Sequence, residues 1–317
     1  MAAGLSVCDG AIAIRGGGEV GRGSVTRLHH SARMWAIFAY RLAMASVVIL
    51  FFGCGGSRAV QESSRSLIRI KGSDTMLLLA QRWAEAFMRE HPGTSISVEG
   101  GGTEIGIAAM IKGETEFCTA SRPLSPEEIS RIAREYRSLG FSVLTARDAL
   151  CFYTHMDNPA LSLTLDQLAD IFRGQIRNWK DVGGDDALIV VLSRDPNSGT
   201  HGYLEDHVLR GGRIREDARI LPGTAAIVRE VSRNVHAIGY GGLAYGENVY
   251  DLDVDGVPPF PENVRNGTYP VSRYLYLYSV RPPEGMQKRF IDWILSPAGQ
   301  RVVQEVGYVP LYDVPAR

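Results

Sequence analysis

Ala187–Leu209 reads A-L-I-V-V-L-S-R-D-P-N-S-G-T-H-G-Y-L-E-D-H-V-L. The apolar run Ala187–Leu192 has the make-up of a buried strand, and His201–Leu209 that of a helix. Between them, Ser193–Thr200 holds an Arg, two Ser, a Gly and a Thr. Strand, loop, helix is the repeating unit of α/β folds, and ligands of such sheets sit at the carboxyl ends of the strands. This loop can turn hydroxyls, a guanidinium and the free N–H groups of a helix start toward one small anion. It also reads as a simple turn with Ser198 as N-cap. The loop alone leaves both readings open.

The same unit occurs three times upstream. Leu67–Lys71 alternates as a strand, Gly72-Ser73-Asp74-Thr75 follows, and Met76–Glu90 places Leu79, Trp83, Ala86 and Phe87 on one helical face. Ser95–Glu99 is a second strand, Gly100–Thr103 a glycine loop, and Ile105 opens a helix. Glu116–Ala120 is a short strand ending at Ser121-Arg122-Pro123. The next helix has Ser125 as N-cap, Pro126 in its first turn and Glu128 at the capping-box position. These units predict an α/β fold with a largely parallel sheet. Downstream, strands are expected at Phe141–Leu144, Ala149–Thr154, His236–Tyr240 and from Arg273 to Val280. Helices are expected at Thr164–Phe172, Gly223–Asn234, Met286–Leu295 and Ala298–Val306. Residues 67–149 with 255–317 are read as one lobe and 150–254 as an inserted second lobe. The chain would cross near Phe152–Met156 and near Asp253–Tyr269, making a hinge.

The amino end is different. Residues 1–33 are Gly-rich without a period, and Met34 is read as an alternative start. Arg41 precedes the apolar run Leu42–Gly53, and Cys54 follows. About a dozen apolar residues suit a signal-peptide core better than a membrane span, which needs ~20. The segment resembles a bacterial lipoprotein signal in which Cys54 becomes the lipidated first residue, although Phe51 stands where Leu is usual. Residues 1–54 are thus leader and signal, and 55–66 a polar linker.

Composition narrows the function classes. The chain has 317 residues, 45% hydrophobic, enough for a large core, and a net charge of −1 that gives no footprint for nucleic acid. Its four cysteines, Cys8, Cys54, Cys118 and Cys151, form no C-x-x-C pair, so no structural zinc site is expected. Cys118 and Cys151 lie in apolar runs and read as buried thiols. No G-x-S-x-G elbow and no G-x-x-x-x-G-K-[ST] loop occurs, so the chain reads as a binding protein, with neither catalytic machinery nor cofactor. His201 and His236 read as structural, and Tyr274, Tyr276 and Tyr278 as packing on one strand face.

Six segments in order carry a family resemblance: I-K-G-S-D-T at Ile70–Thr75, V-E-G-G-G-T at Val98–Thr103, T-A-S-R-P-L at Thr119–Leu124, L-S-R-D-P-N-S-G-T at Leu192–Thr200, A-I-G-Y at Ala237–Tyr240, and Y-P-V-S-R-Y-L-Y-L-Y at Tyr269–Tyr278. Together they resemble the PstS-type phosphate-binding proteins of bacterial ABC importers. The resemblance implies a two-lobed periplasmic-binding-protein fold (type II, flytrap), closing on inorganic phosphate and serving a membrane permease, with a monomer expected. It implies anion contacts from Ser73, Thr75, Thr103, Ser121 and Arg122 on one side and Arg194, Ser198, Gly199 and Thr200 on the other. Some members carry Asp where Arg122 stands, to accept the ligand's proton. Here that task falls to Asp74, which lies in the first glycine loop beside Thr75. Alternatives are another oxyanion, such as sulfate or molybdate, or a secreted phosphate-ester hydrolase.

Overall fold

A computed structural model describes residues 66–314. The leader, the linker and Cys54 lie outside the described residues. In chain order the strands are β1 (Ser66–Gly72), β2 (Thr94–Glu99), β3 (Phe117–Ala120), β4 (Phe141–Thr154), β5 (Ser162–Leu163), β6 (Val190–Arg194), β7 (Arg219–Leu221), β8 (Ala237–Gly242), β9 (Tyr250–Asp251), β10 (Asp253–Val254) and β11 (Ser272–Ser279). The helices are α1 (Leu77–Glu90), α2 (Thr103–Ile111), α3 (Pro126–Tyr136), α4 (Leu165–Arg173), α5 (Gly199–His207), α6 (Thr224–Val231), α7 (Pro261–Asn266), α8 (Gly285–Leu295) and α9 (Pro297–Val306).

The sequence-expected helices form where their caps are. Ser125 Oγ accepts the Glu128 N–H at 3.2 Å while Glu128 Oε2 accepts the Ser125 N–H at 2.7 Å, a complete capping box. Thr164 and Gln167 do the same for α4. The α1 face buries Leu79, Ala80, Trp83, Ala84 and Phe87, and the Trp83 indole N–H reaches the Gly299 carbonyl at 3.0 Å.

One nine-stranded sheet runs β2-β1-β3-β11-β4-β8-β6-β7, with β9 added beside β4. It is mixed rather than largely parallel. β1 pairs parallel with β2 and β3, and β6 with β7 and β8, but β11 lies antiparallel between β3 and β4, and β8 antiparallel to β4. The late strand β11 returns to fill the middle of the sheet, which local pattern could not foretell.

Two separate strands expected at Phe141–Leu144 and Ala149–Thr154 are one fourteen-residue strand, β4. The polar residues between them are built into the sheet. Thr145 Oγ donates to the Leu275 carbonyl at 3.0 Å, at a bulge opposite Leu275/Tyr276, and Asp148 pairs with Arg273 of β11. β4 also changes cores along its length. Val143 and Ala146 pack with Ile70, Trp83, Phe87 and Phe290, whereas Ala149–Tyr153 pack with Phe172, Trp179, Leu192 and Tyr240. β11 and the segment before it make the same exchange, with Val271 in the second cluster and Leu275 in the first. The two clusters thus change over at 146–149 and 271–275, within paired strands. Val264, Tyr269 and Val271 belong to the second cluster. Cys118 and Cys151 are buried free thiols, held well above the ordinary thiol range by burial. Among the described residues, no helix is long and apolar enough to cross a membrane.

Candidate functional site

The carboxyl ends of β1, β3 and β6 and the starts of α2 and α5 meet at one buried point. Thr75 Oγ and Thr200 Oγ are 2.8 Å apart, and Ser121 Oγ lies 3.3 Å from Thr200 Oγ. Thr103 Oγ accepts the Ser121 N–H at 3.3 Å. Thr103, Ser121 and Thr200 are each 0% exposed. The loops that deliver them close tightly. The Glu104 N–H reaches the Asn197 carbonyl at 3.2 Å, and a Cβ on Gly102 would sit 2.6 Å from that oxygen, in a residue whose φ of 101° already favours glycine. A Cβ on Gly199 would lie 2.3 Å from Thr103 Oγ and 2.8 Å from Ser121 Oγ, so only glycine fits the start of α5.

Arg194 is the cation of this cluster, 2% exposed. Its Nη2 donates to Asp74 Oδ2 at 2.6 Å and its Nη1 to Thr224 Oγ at 3.0 Å. Its Nε is buried and meets no acceptor among the described residues. Asp74 Oδ1 accepts the Gly101 N–H at 2.8 Å, so both carboxylate oxygens of Asp74 are engaged. Ser198 caps α5, accepting the His201 N–H at 3.4 Å. The helix begins two residues earlier than its sequence pattern suggests, because Gly199 and Thr200 form its first turn. Ser73 is buried beside the cluster and donates its N–H to the Thr119 carbonyl at 2.9 Å.

Arg122 is not part of the hydroxyl cluster's hydrogen-bond network. Its two terminal nitrogens donate to Glu128 at 2.9 Å each, and Glu104 lies 3.5 Å away. The Glu128 hydrogen bond keeps the guanidinium charged despite burial. Asp74, Thr75, Thr103, Ser121, Arg194, Gly199 and Thr200 are thus brought together, Ser73 and Ser198 flank them, and Arg122 is engaged by Glu128 instead. His201 is part-buried between the Ser193 and Tyr240 hydroxyls, at 3.4 and 3.3 Å from its Nδ1, and Glu205, at 3.4 Å from its Nε2.

Several residues of this region were not singled out by sequence. Thr224 anchors Arg194 from the start of α6. Arg273, ion-paired with Asp148 at 2.7 Å, donates to the Ser121 carbonyl at 3.3 Å from behind. Tyr245 and Tyr308 donate to the carbonyls of Asp74 and Thr75 at 2.9 and 2.6 Å. Only the Arg273 segment carried a signal, as part of the resemblance. A surface groove of ≈ 820 Å³ beside Ser66, Tyr136, Arg281 and Met286 shares no residue with the cluster. Among the described residues no group of His, Cys, Asp or Glu is placed to hold a metal ion.

A family model described as a PBP superfamily domain matches residues 59–298. The protein named phosphate-binding protein PstS of Pseudomonas aeruginosa is 32% identical over 263 residues, covering 76% of this chain and 81% of that one. A Clostridium perfringens substrate-binding protein, described as belonging to a phosphate ABC transporter and determined with bound phosphate, aligns with a TM-score of 0.72 at 34% identity, over 78% of this chain and 100% of that one. An ABC-type phosphate transport receptor from Vibrio cholerae aligns with a TM-score of 0.64 at 27% identity, over 76% and 99%. The fold is therefore that of a PBP superfamily domain. Within that superfamily, the chain belongs to the PstS-type phosphate-binding proteins.

Proposed function

We propose that this protein captures inorganic phosphate outside the cytoplasmic membrane and passes it to the permease of an ABC importer. The observation that carries this reading is Arg194, a buried guanidinium whose Nε has no acceptor, set among four buried hydroxyls at the start of α5. A buried cation with a spare donor calls for an anion, since an unmet buried donor costs about 1–3 kcal/mol. Thr75, Thr103, Ser121 and Thr200 offer hydroxyl donors, and the first turn of α5 offers N–H groups that also favour negative charge. The names of the relatives and the phosphate in the Clostridium perfringens structure point to the same ligand.

In this reading Arg194, Thr75, Thr103, Ser121, Ser198, Gly199 and Thr200 contact the ligand, with Ser73 behind them. Asp74 holds Arg194 in place and, as a carboxylate, accepts the proton of a hydrogen phosphate, which sulfate does not carry. That is the basis expected for choosing phosphate over sulfate. Arg122 serves α2 and α3 rather than the ligand. Residues 66–149 with 272–314, and the intervening segment, act as two lobes that part to admit the ligand. Cys54 anchors the chain to the membrane through lipid, and the body acts as a monomer on the linker 55–66. No chemical turnover is assigned to the site.

Thermal melting with a panel of phosphate, sulfate, molybdate and tungstate tests the reading, because a ligand that binds only the native state raises the melting temperature. Phosphate should give the largest shift. A larger shift with another oxyanion would reassign the ligand, and no shift with any would remove the proposal.

A further inference from the structure

The residues that form the proposed anion site are held from behind by tyrosines distant in sequence. Tyr245, in the turn after β8, donates its hydroxyl to the Asp74 carbonyl at 2.9 Å. Tyr308, after α9, donates to the Thr75 carbonyl at 2.6 Å. They span 171 and 233 residues of chain and end on consecutive peptide groups of the same short turn, Asp74–Met76. That turn has no side-chain cap of its own. Its side chains nevertheless make the two contacts that join the first loop to the Ser193–Thr200 loop, Asp74 to Arg194 and Thr75 to Thr200.

The geometry points to Tyr245 and Tyr308 as positioning residues for the anion site. Their hydroxyls clamp the turn so that the Asp74 carboxylate meets Arg194 and the Thr75 hydroxyl meets Thr200. A trans peptide is planar, so a carbonyl held on one side turns its N–H to the other. The clamp on the Asp74 carbonyl thereby also fixes the direction of the Thr75 N–H. Burial, with the charge of Asp74 adding to it, pushes the Tyr245 hydroxyl up to about 12, and burial holds Tyr308 well above the ordinary phenol range. Both therefore remain neutral donors across the physiological range. Tyr240 acts alike on the other loop, where its hydroxyl accepts the Arg194 N–H at 3.1 Å. Both members of the Asp74–Arg194 pair thus have their backbones fixed by tyrosine hydroxyls.

The inference rests on the proposed phosphate site, and the test separates the two. Tyr245→Phe and Tyr308→Phe each remove one hydroxyl and keep the ring. Tyr269→Phe is the control, since its buried hydroxyl donates to the Leu150 carbonyl at 3.1 Å, in the second core. Phosphate affinity by calorimetry, melting temperature, and the amide resonance of Gly101, whose N–H bonds Asp74 Oδ1, are measured in all four proteins. Y245F and Y308F should weaken phosphate at least fivefold, with a melting loss no greater than that of Y269F. Y269F should leave affinity unchanged, and Y245F should shift the Gly101 amide in phosphate-free protein. Wild-type affinity in both variants, or equal weakening by Y269F, overturns the inference. If the wild type itself takes no phosphate, the functional reading fails, and an unmoved Gly101 amide in Y245F would then separately refute the clamp.

Discussion

Arg122 and Arg194 stand in comparable places, at or just beyond a strand's carboxyl end and ahead of a helix. Sequence offers both to the same anion. The structure separates them. Arg122 folds back onto Glu128 of its own helix and is spent in an ion pair 12–13% exposed. Arg194 reaches across to Asp74 and keeps its Nε unmatched. The difference lies in which carboxylate each guanidinium finds first. Glu128 is six residues from Arg122 and already fixed by the Ser125 capping box, whereas the nearest carboxylate to Arg194 in space comes from another loop, 120 residues away. Of these two arginines, the one with a local partner is held by its own helix, and the one whose partners are distant and incomplete keeps a donor free.

This contrast can be broken in several ways, from the largest expected effect to the smallest. Arg194→Ala should weaken phosphate binding by about 3 kcal/mol or more, because it strands both the ligand and Asp74 without a charged donor. Calorimetric affinity within tenfold of wild type would put the essential cation elsewhere.

Asp251, a half-buried carboxylate whose Oδ1 meets no donor among the described residues, sharpens the contrast from the acidic side. Its Oδ1 is buried and unbonded, and burial lifts its pKa to about 6. The native state thus holds its proton more tightly than the unfolded chain. Its contribution to stability is fully present below about pH 4 and is lost as pH rises through 6. Asp251→Asn should gain roughly 2 kcal/mol over wild type at pH 7.5, and almost nothing near pH 4. Equal melting differences at both pH values would show that Asp251 is solvated or paired.

Asp74→Asn should cost phosphate about tenfold, ~1.4 kcal/mol, and lose more of the discrimination against sulfate than of phosphate affinity itself. Unchanged sulfate rejection would exclude Asp74 as the discriminator. Arg122→Ala should change phosphate affinity by about twofold at most, with a loss of stability on the order of 1 kcal/mol from the ion pair with Glu128. A tenfold loss of affinity would return Arg122 to the site.

Local chemistry was readable from sequence where the partners were local. The caps at Ser125, Thr164 and Ser198, the glycines at Gly102 and Gly199, and the loop hydroxyls all stand where the pattern put them. Even the Arg122 ion pair has a local basis, since Glu128 stands at the capping-box position of the next helix. What could not be read required long-range closure. Tyr245 and Tyr308 meet the first loop across 171 and 233 residues. β11 enters the sheet between strands formed far earlier, and Asp148, which interrupted the apolar pattern of β4, stays in the strand because Arg273 neutralises it. Periodicity treats a polar residue in a strand as a break and has no access to the partner that satisfies it.

A crystal structure of the protein grown with phosphate tests the contrast between the two arginines most directly. The predicted result is a phosphate oxygen within about 3 Å of Arg194 Nε, the other oxygens on the Thr75, Thr103, Ser121 and Thr200 hydroxyls, and Arg122 still on Glu128. Phosphate bound to Arg122, with Arg194 Nε unengaged, would contradict it.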